Sequence, residues 1–105
     1  MFKSPVNDKK YSWTAHAFQK MMFYGISEGR IKRIIRFPKR LEEGVVPNTI
    51  AVMQPAGTKR YQEIWVMYKI SKPKLRIITT WRYPGKSTER DPIPKDVIEE
   101  VRRLL

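Results

Sequence analysis

The chain has 105 residues with no cysteine and one histidine, which fits one small domain, excludes disulfides and thiolate chemistry, and argues against a transition-metal site. Its 22 lysines and arginines outnumber 10 acidic residues to give a formal net charge of +12, which favours a polyanionic partner, nucleic acid first and an anionic membrane surface second. No apolar run is long enough to span a membrane, so we expect a cytoplasmic protein. We also expect that it needs neither cofactor nor metal.

The first 12 residues lack a hydrophobic period and carry three lysines, so they predict a basic arm ahead of a single domain over residues 13–105. Thr14 is a candidate N-cap for the first helix, and Gly25 is a candidate for its end. Helical spacing predicts an apolar face for this helix that comprises Ala15, Phe18, Met21 and Met22.

Ser27 is the N-cap candidate of a second helix that runs to about Arg36, because Pro38 disfavours helical geometry in the residue before it. Three isoleucines form the apolar stripe of this helix. No acid occurs between residues 30 and 40, so the other side forms a basic ridge that predicts contacts with nucleic-acid phosphates. The ridge comprises Arg30, Lys32, Arg33, Arg36, Lys39 and Arg40.

The middle of the chain predicts a sheet. A short edge strand between Lys39 and Val46 precedes a stronger strand over residues 49–54. Residues 61–83 then predict an antiparallel hairpin, because two runs rich in β-branched and aromatic residues flank a turn that contains Pro73.

Side chains alternate between the two faces of a strand, so each hairpin arm predicts two sets of residues. In the first arm, one set comprises Ile64, Val66, Tyr68 and Ile70. In the second arm, strict alternation gives one set that comprises Leu75, Ile77, Thr79, Trp81 and Tyr83. We expect helices on one face of the sheet and a second, partly apolar and partly basic face that is open to a ligand.

Residues 94–105 predict an added C-terminal helix, because apolar residues recur there at helical spacing. The expected buried stripe comprises Val97, Ile98, Val101, Leu104 and Leu105. The order of elements predicts an α+β fold in which two N-terminal helices pack on a three- to four-stranded antiparallel sheet, with the C-terminal helix added.

Three short motifs near the N-terminus resemble the opening helix and turn of small domains grouped with the RelE, ParE and BrnT-like toxins. They are Thr-Ala-His-Ala at residues 14–17, Lys20-Met21 and Gly25-Ile26-Ser27, and the closing strand of that family resembles Ile-Ile-Thr-Thr-Trp at residues 77–81. The match is with the uncharacterised branch of this toxin superfamily. The resemblance implies two helices on an antiparallel sheet and, for many members, metal-independent cleavage of RNA.

His16 is the candidate catalytic group, because imidazole is the one side chain here with an ordinary pKa near neutrality. It would move the proton when an RNA 2′-hydroxyl attacks its phosphate. Lys20 lies one turn later, on the helix side opposite the predicted apolar face, and would hold that phosphate. Arg82 would neutralise charge in the transition state. The alternative for His16 is a structural role in capping or packing.

Further residues of the hairpin are candidates for nucleic-acid contacts. Arg76 and Lys69 could hold a phosphate together with Arg82, although cations on a strand are also common on a solvated face. Trp65 and Tyr83 are the aromatic residues that we expect to be accessible for base stacking. Aromatic residues in a hairpin otherwise belong to the core.

No glycine-rich phosphate loop, paired carboxylates at metal-binding spacing or nucleophile elbow occurs in the sequence. We therefore expect a protein that binds RNA or single-stranded nucleic acid and cleaves RNA without a metal. One alternative is a nucleic-acid-binding module without catalysis, which needs only charge and aromatic residues. The other is a basic module that binds an acidic antitoxin-like protein.

Overall fold

The computed structural model describes residues 3–105, and in this range the chain forms three helices and one five-stranded sheet. The elements are β1 (Tyr11–Trp13), α1 (Ala15–Tyr24), α2 (Glu28–Arg36), β2 (Arg40–Glu43), β3 (Thr49–Pro55), β4 (Gln62–Ser71), β5 (Lys74–Pro84) and α3 (Lys95–Leu104). The strand order is β1-β5-β4-β3-β2; β1 runs parallel to β5, and the other neighbours are antiparallel. The predicted α+β class is confirmed, with one strand more than expected.

The additional strand, β1, lies partly inside the segment predicted to be an arm. Tyr11 is buried and pairs with Leu75 at the start of β5. The Asp8 carboxylate accepts hydrogen bonds from the backbone N–H groups of Lys10 and Tyr11, which turns the chain into the strand. The chain therefore joins the sheet at residue 11, before the predicted domain start; residues 1–2 of the predicted arm lie outside the described residues.

The predicted boundaries of the first two helices are confirmed by their caps. Thr14 Oγ1 accepts a hydrogen bond from the N–H of Ala17 at 2.9 Å, and Ser27 Oγ accepts one from the N–H of Arg30 at 3.1 Å. Helix α1 ends at Gly25, whose φ of 65° lies in the left-handed region that glycine adopts without steric strain. Local sequence signals therefore define where both helices begin and where α1 ends.

The apolar face predicted for α1 is wrong in part. Ala17 and Met21 are fully buried, whereas Ala15 is exposed and Met22 is half exposed. His16, expected opposite the buried face, has only 15% of its side chain exposed.

The reason is the position of α1 along the edge of β5. The N–H of Thr14 donates to the carbonyl oxygen of Ile77, and Arg82 Nε donates to the carbonyl oxygen of Tyr24 at the other end of the helix. From this edge, Ala17 and Met21 enter the core that α2 also covers, while His16 lies beside Glu100 of α3, so more than one side of α1 is covered.

The sheet separates two hydrophobic cores. The core on the side of α1 and α2 includes Ala17, Met21, Ile31, Ile34, Val52, Ile64, Val66 and Ile77. The core under α3 includes Ala51, Met53, Trp65, Met67, Ile78, Trp81, Ile93 and Val101. The expectation of an open second face is therefore wrong, because α3 and the segment before it cover that face.

The predicted apolar stripe of α3 is confirmed in its central part. Val101 is fully buried, while Val97 and Ile98 are partly buried against the core under α3. Leu104 and Leu105 are about half exposed, so the predicted stripe is not buried at the C-terminal end of the helix. No helix in the described part of the chain is long and apolar enough to cross a membrane.

A β-bulge at Ile78 interrupts the alternation predicted for β5. Met67 pairs with Thr79, but the next residue, Tyr68, pairs with Ile77. Because the extra residue shifts the alternation, Leu75 and Ile77 face the core near α2, whereas Trp81 and Tyr83 face the core under α3. The prediction that one face continues along the whole arm is therefore wrong, because strict alternation assumes an unbroken register.

Candidate functional site

His16 lies at the junction of α1 and α3. Its Nε2 atom is 2.9 Å from Oε1 of Glu100, and Lys20 Nζ is 3.4 Å from the same oxygen. Nε2 makes no hydrogen bond of good geometry, so it lies beside this carboxylate without an aligned bond. Burial lowers the pKa of His16 below its ordinary value; Glu100 opposes this effect and Lys20 adds to it. The imidazole is therefore mainly neutral at neutral pH.

A cavity of about 220 Å³ opens beside His16, between the start of α1, the middle of β5 and the end of α3. The cavity is lined by Thr14, Ala15, His16, Arg76, Ile78, Leu104 and Leu105. Arg76 is exposed, and no acid in the described part of the chain forms a salt bridge with it. The structure thus places His16 and a cation without a salt bridge in the described chain on the same cavity.

Arg82 lies at the other end of α1. Its Nε atom donates to the carbonyl oxygen of Tyr24 at 2.8 Å, and its Nη1 atom is 3.5 Å from Oε1 of Gln62. Tyr24 is eight residues after His16, which corresponds to about 12 Å along a helix axis. His16 and Lys20 share a carboxylate, but Arg82 is apart from them.

The remaining hairpin residues lie on different faces. Lys69 and Arg76 are cross-strand neighbours on the α3 side, whereas Arg82 lies on the α2 side beyond the bulge. Tyr83 is partly buried against the core under α3. Predicted stacking of bases on Trp65 is wrong, because this ring is fully buried.

Trp65 is held in the core by two interactions. Its ring stacks on Trp81 with centroids 5.8 Å apart, and its Nε1 donates to Oε1 of Glu63 at 3.1 Å. Glu63 is only 1% exposed and also accepts hydrogen bonds from Tyr61 and from the backbone and side chain of Ser87. Burial raises the pKa of Glu63, but these hydrogen bonds outweigh it and lower the pKa overall. This buried acid anchors the loop before α3.

The structure divides the basic ridge. Lys32 Nζ lies 2.9 Å from Glu28 and 3.8 Å from Asp8, so nearby acids offset its charge. Arg40 reaches the opposite side of the sheet, where it donates to Ser87 Oγ at 2.9 Å and lies 5.4 Å from the centre of the Trp65 ring. Lys32 is therefore paired with acids, and Arg40 lies outside α2.

Three members of the ridge remain together on the surface. Arg33, Arg36 and Lys39 are exposed, and none of them forms a salt bridge within the described residues. Phe37, between them in the chain, is 69% exposed. Gln54 Nε2 donates to the carbonyl oxygen of Phe37 at 2.8 Å and fixes this end of the helix to β3. We call Arg33, Arg36, Phe37 and Lys39 the α2 surface.

Arg30 belongs to a cluster that the sequence did not predict. Burial lowers its pKa, and the charges of Arg33 and Arg82 lower it further, so both groups repel the Arg30 guanidinium. Nη2 of Arg30 donates to the carbonyl oxygen of Pro55 at 2.8 Å, and its buried Nε has no hydrogen-bond partner among the described residues. Arg30 and Arg82 are 52 positions apart, and no spacing in the sequence indicates their proximity.

The chain matches no protein-family model, and no curated protein or solved structure shows significant similarity to it. The resemblance to the RelE, ParE and BrnT-like toxins therefore stays a prediction. Within the described residues, no group of three or more histidine or acidic side chains could hold a metal ion.

Proposed function

We propose that this protein binds RNA or another single-stranded nucleic acid in the cytoplasm through the α2 surface. The observation that carries the proposal is the set of three exposed cations, Arg33, Arg36 and Lys39, without an acidic partner in the described chain. Phosphates supply the missing negative charge, and binding releases their condensed counterions. Phe37 offers an exposed ring on which a base can stack.

The test replaces Arg33 and Arg36 by alanine and measures binding of single-stranded RNA at low salt. Phosphate contacts carry no base information, so the loss should be similar for different sequences and about tenfold or more. Arg102 and Arg103 provide a matched control, because both pairs are exposed and lie in the last turn of a helix.

The control variant, with Arg102 and Arg103 replaced by alanine, should bind almost as tightly as the parent. Equal losses of RNA affinity in both variants would contradict binding at the α2 surface and would indicate that RNA is attracted by the net charge alone. Binding by neither parent nor variants, together with tight capture of an acidic protein, would favour the antitoxin-like alternative.

Metal-independent RNA cleavage is the second candidate function, and the cavity shared by His16 and Arg76 favours it. The neutral imidazole would take the proton of the 2′-hydroxyl as the O2′–P bond forms. The P–O5′ bond breaks, and the leaving 5′-oxygen takes a proton from water. Arg76, which lines the cavity, would hold the phosphate in place of the predicted Arg82.

The cleavage assay uses RNA in the presence and absence of a chelator. His16→Ala should reduce cleavage by about 10² to 10⁴, the usual contribution of one acid-base group, and leave binding intact. A variant purified in the same way that cleaves as fast as the parent would exclude His16 as the catalytic group. Binding without cleavage by the parent would leave a nucleic-acid-binding module.

A further inference from the structure

Arg30 and Arg82 converge where α1 ends and α2 begins. Arg30 reaches the carbonyl oxygen of Pro55, the last residue of β3, and Arg82 lies beside Gln62, the first residue of β4. Gln62 pairs with Pro84 at the end of β5, so the ends of three adjacent strands meet here. Two guanidinium groups distant in sequence are thus brought to one corner of the sheet.

Backbone carbonyls hold each guanidinium group in place. Arg30 donates from Nη2 to Pro55, and Arg82 donates from Nε to Tyr24, both at 2.8 Å. A guanidinium group has five N–H donors, so donors of both side chains remain for a ligand. The Nε of Arg30 is buried, so the donors that a ligand can reach are the remaining Nη hydrogens of the two side chains. Donors that are already fixed lose less conformational entropy when a ligand binds.

The charge of this corner lacks a counterpart. Arg33 and Arg82 repel Arg30, and no acid in the described chain lies within 4.0 Å of the guanidinium nitrogens of these residues. Lys59 and Arg60 add two exposed cations in the loop that follows Pro55. Partial burial strengthens the repulsion relative to water. A ligand with negative charge and several acceptor oxygens would remove this repulsion.

We propose that Arg30 and Arg82 form a phosphate-binding site at the corner between α1, α2 and the ends of β3 and β4. Guanidinium groups bind phosphate oxygens through paired hydrogen bonds, which a lysine cannot provide. The inference deepens the proposed nucleic-acid binding, because Arg33 connects this corner to the α2 surface. A strand that crosses the α2 surface would place one phosphate between Arg30 and Arg82.

The phosphate has two possible sources, a backbone phosphodiester or a free or terminal phosphate monoester. We would follow the Nε–Hε NMR signals of Arg30 and Arg82 during titration with inorganic phosphate, with sodium chloride at equal ionic strength as the reference. Two oligonucleotides, with and without a 5′-phosphate, separate the sources. Equal responses indicate the backbone, and a response only to the phosphorylated strand indicates a terminal phosphate.

We expect phosphate, but not chloride, to shift both signals at millimolar concentration. Arg30→Gln and Arg82→Gln should each weaken phosphate binding by about tenfold, the effect of removing one charge-assisted contact, while Arg102→Gln should not. Absence of shifts in the parent, or unchanged affinity in both glutamine variants, would overturn the site.

If the glutamine variants fail to fold, Arg30→Lys and Arg82→Lys keep the charge but lose the planar fork of donors. These variants should bind phosphate several-fold more weakly, and parent-like affinity would overturn the site. The proposed function fails separately, if Arg33→Ala with Arg36→Ala leaves RNA binding unchanged. The two failures are therefore distinguishable.

Discussion

Removal of Arg33 and Arg36 should change the salt dependence of RNA binding by a predictable amount. The proposed phosphate-binding site and the α2 surface together comprise five cations without a salt bridge in the described chain: Arg30, Arg33, Arg36, Lys39 and Arg82. Each phosphate contact to a single strand contributes about −0.7 to the slope of log affinity against log salt, so five contacts predict a slope of about −3.5. Two contacts fewer predict about −2.1.

These slopes translate into measurable affinities. Between about 50 and 200 mM salt, the parent should lose about 100-fold in affinity, whereas the variant with Arg33 and Arg36 replaced by alanine should lose only about 20-fold. Fluorescence anisotropy with a labelled single-stranded RNA, repeated at four or more salt concentrations, measures both slopes. The Arg102 and Arg103 variant should keep the slope of the parent.

Two outcomes would refute this reasoning. A parent affinity that does not change with salt would exclude phosphate contacts as the source of binding. An equal change of slope in the variant and in the Arg102 and Arg103 control would show that the α2 surface has no special role, because both changes remove two charges.

Further predictions concern stability. Val101→Ala should lower the free energy of unfolding by about 2 kcal/mol, because it removes two buried methyl groups and leaves a cavity. Leu104→Ala should lower it by less than half as much, because Leu104 is 48% exposed. Chemical denaturation measures both changes. Because the pKa of His16 is lowered in the folded state, its contribution to stability is complete above pH 6.5 and is lost as the pH falls through the folded pKa. The free energy of unfolding of His16→Gln should therefore depend less on pH in this range than that of the parent. Glu63→Gln should cost about 2 to 3 kcal/mol in thermal unfolding, since it removes a charged acceptor of four hydrogen bonds.

Local signals predicted the ends of most elements. Thr14, Ser27 and Gly25 act within one turn of helix, so neighbouring residues are enough to identify their roles. The hairpin turn at Pro73 is equally local. β1 escaped prediction because three residues are too few for a period, and their pairing with β5 spans more than 60 positions.

Assignments of faces failed where two distant parts of the chain meet. The helical period of α1 fits one buried stripe, but the helix lies along a sheet edge and has Glu100 of α3 beside it. Trp65 fits a binding platform as well as a core, and only the position of α3 decides between them. The bulge at Ile78 places Ile77 and Trp81 in different cores, although strict alternation assigns both to one face.

Sequence patterns also failed to show which charged residues of the candidate site have partners. The sequence correctly marked residues 30–40 as free of acids, but acids just outside this range and groups far along the chain also determine which cations are engaged. Lys32 pairs with Glu28 and lies near Asp8, while Arg40 donates a hydrogen bond to Ser87 on the other side of the sheet. The cations left without partners could be identified only from the fold.

The unpaired cations also affect the stability of the fold, so a bound anion should change that stability. Repulsion of Arg30 by Arg33 and Arg82 destabilises the folded state, because unfolding lets these groups separate into water. A bound polyanion reverses this effect, since a ligand that binds only the folded state stabilises it by about 2.7 kcal/mol at 100 times its dissociation constant. Added salt screens the repulsion and weakens the ligand at the same time. RNA should therefore raise the melting temperature most at low salt, where the free protein is least stable.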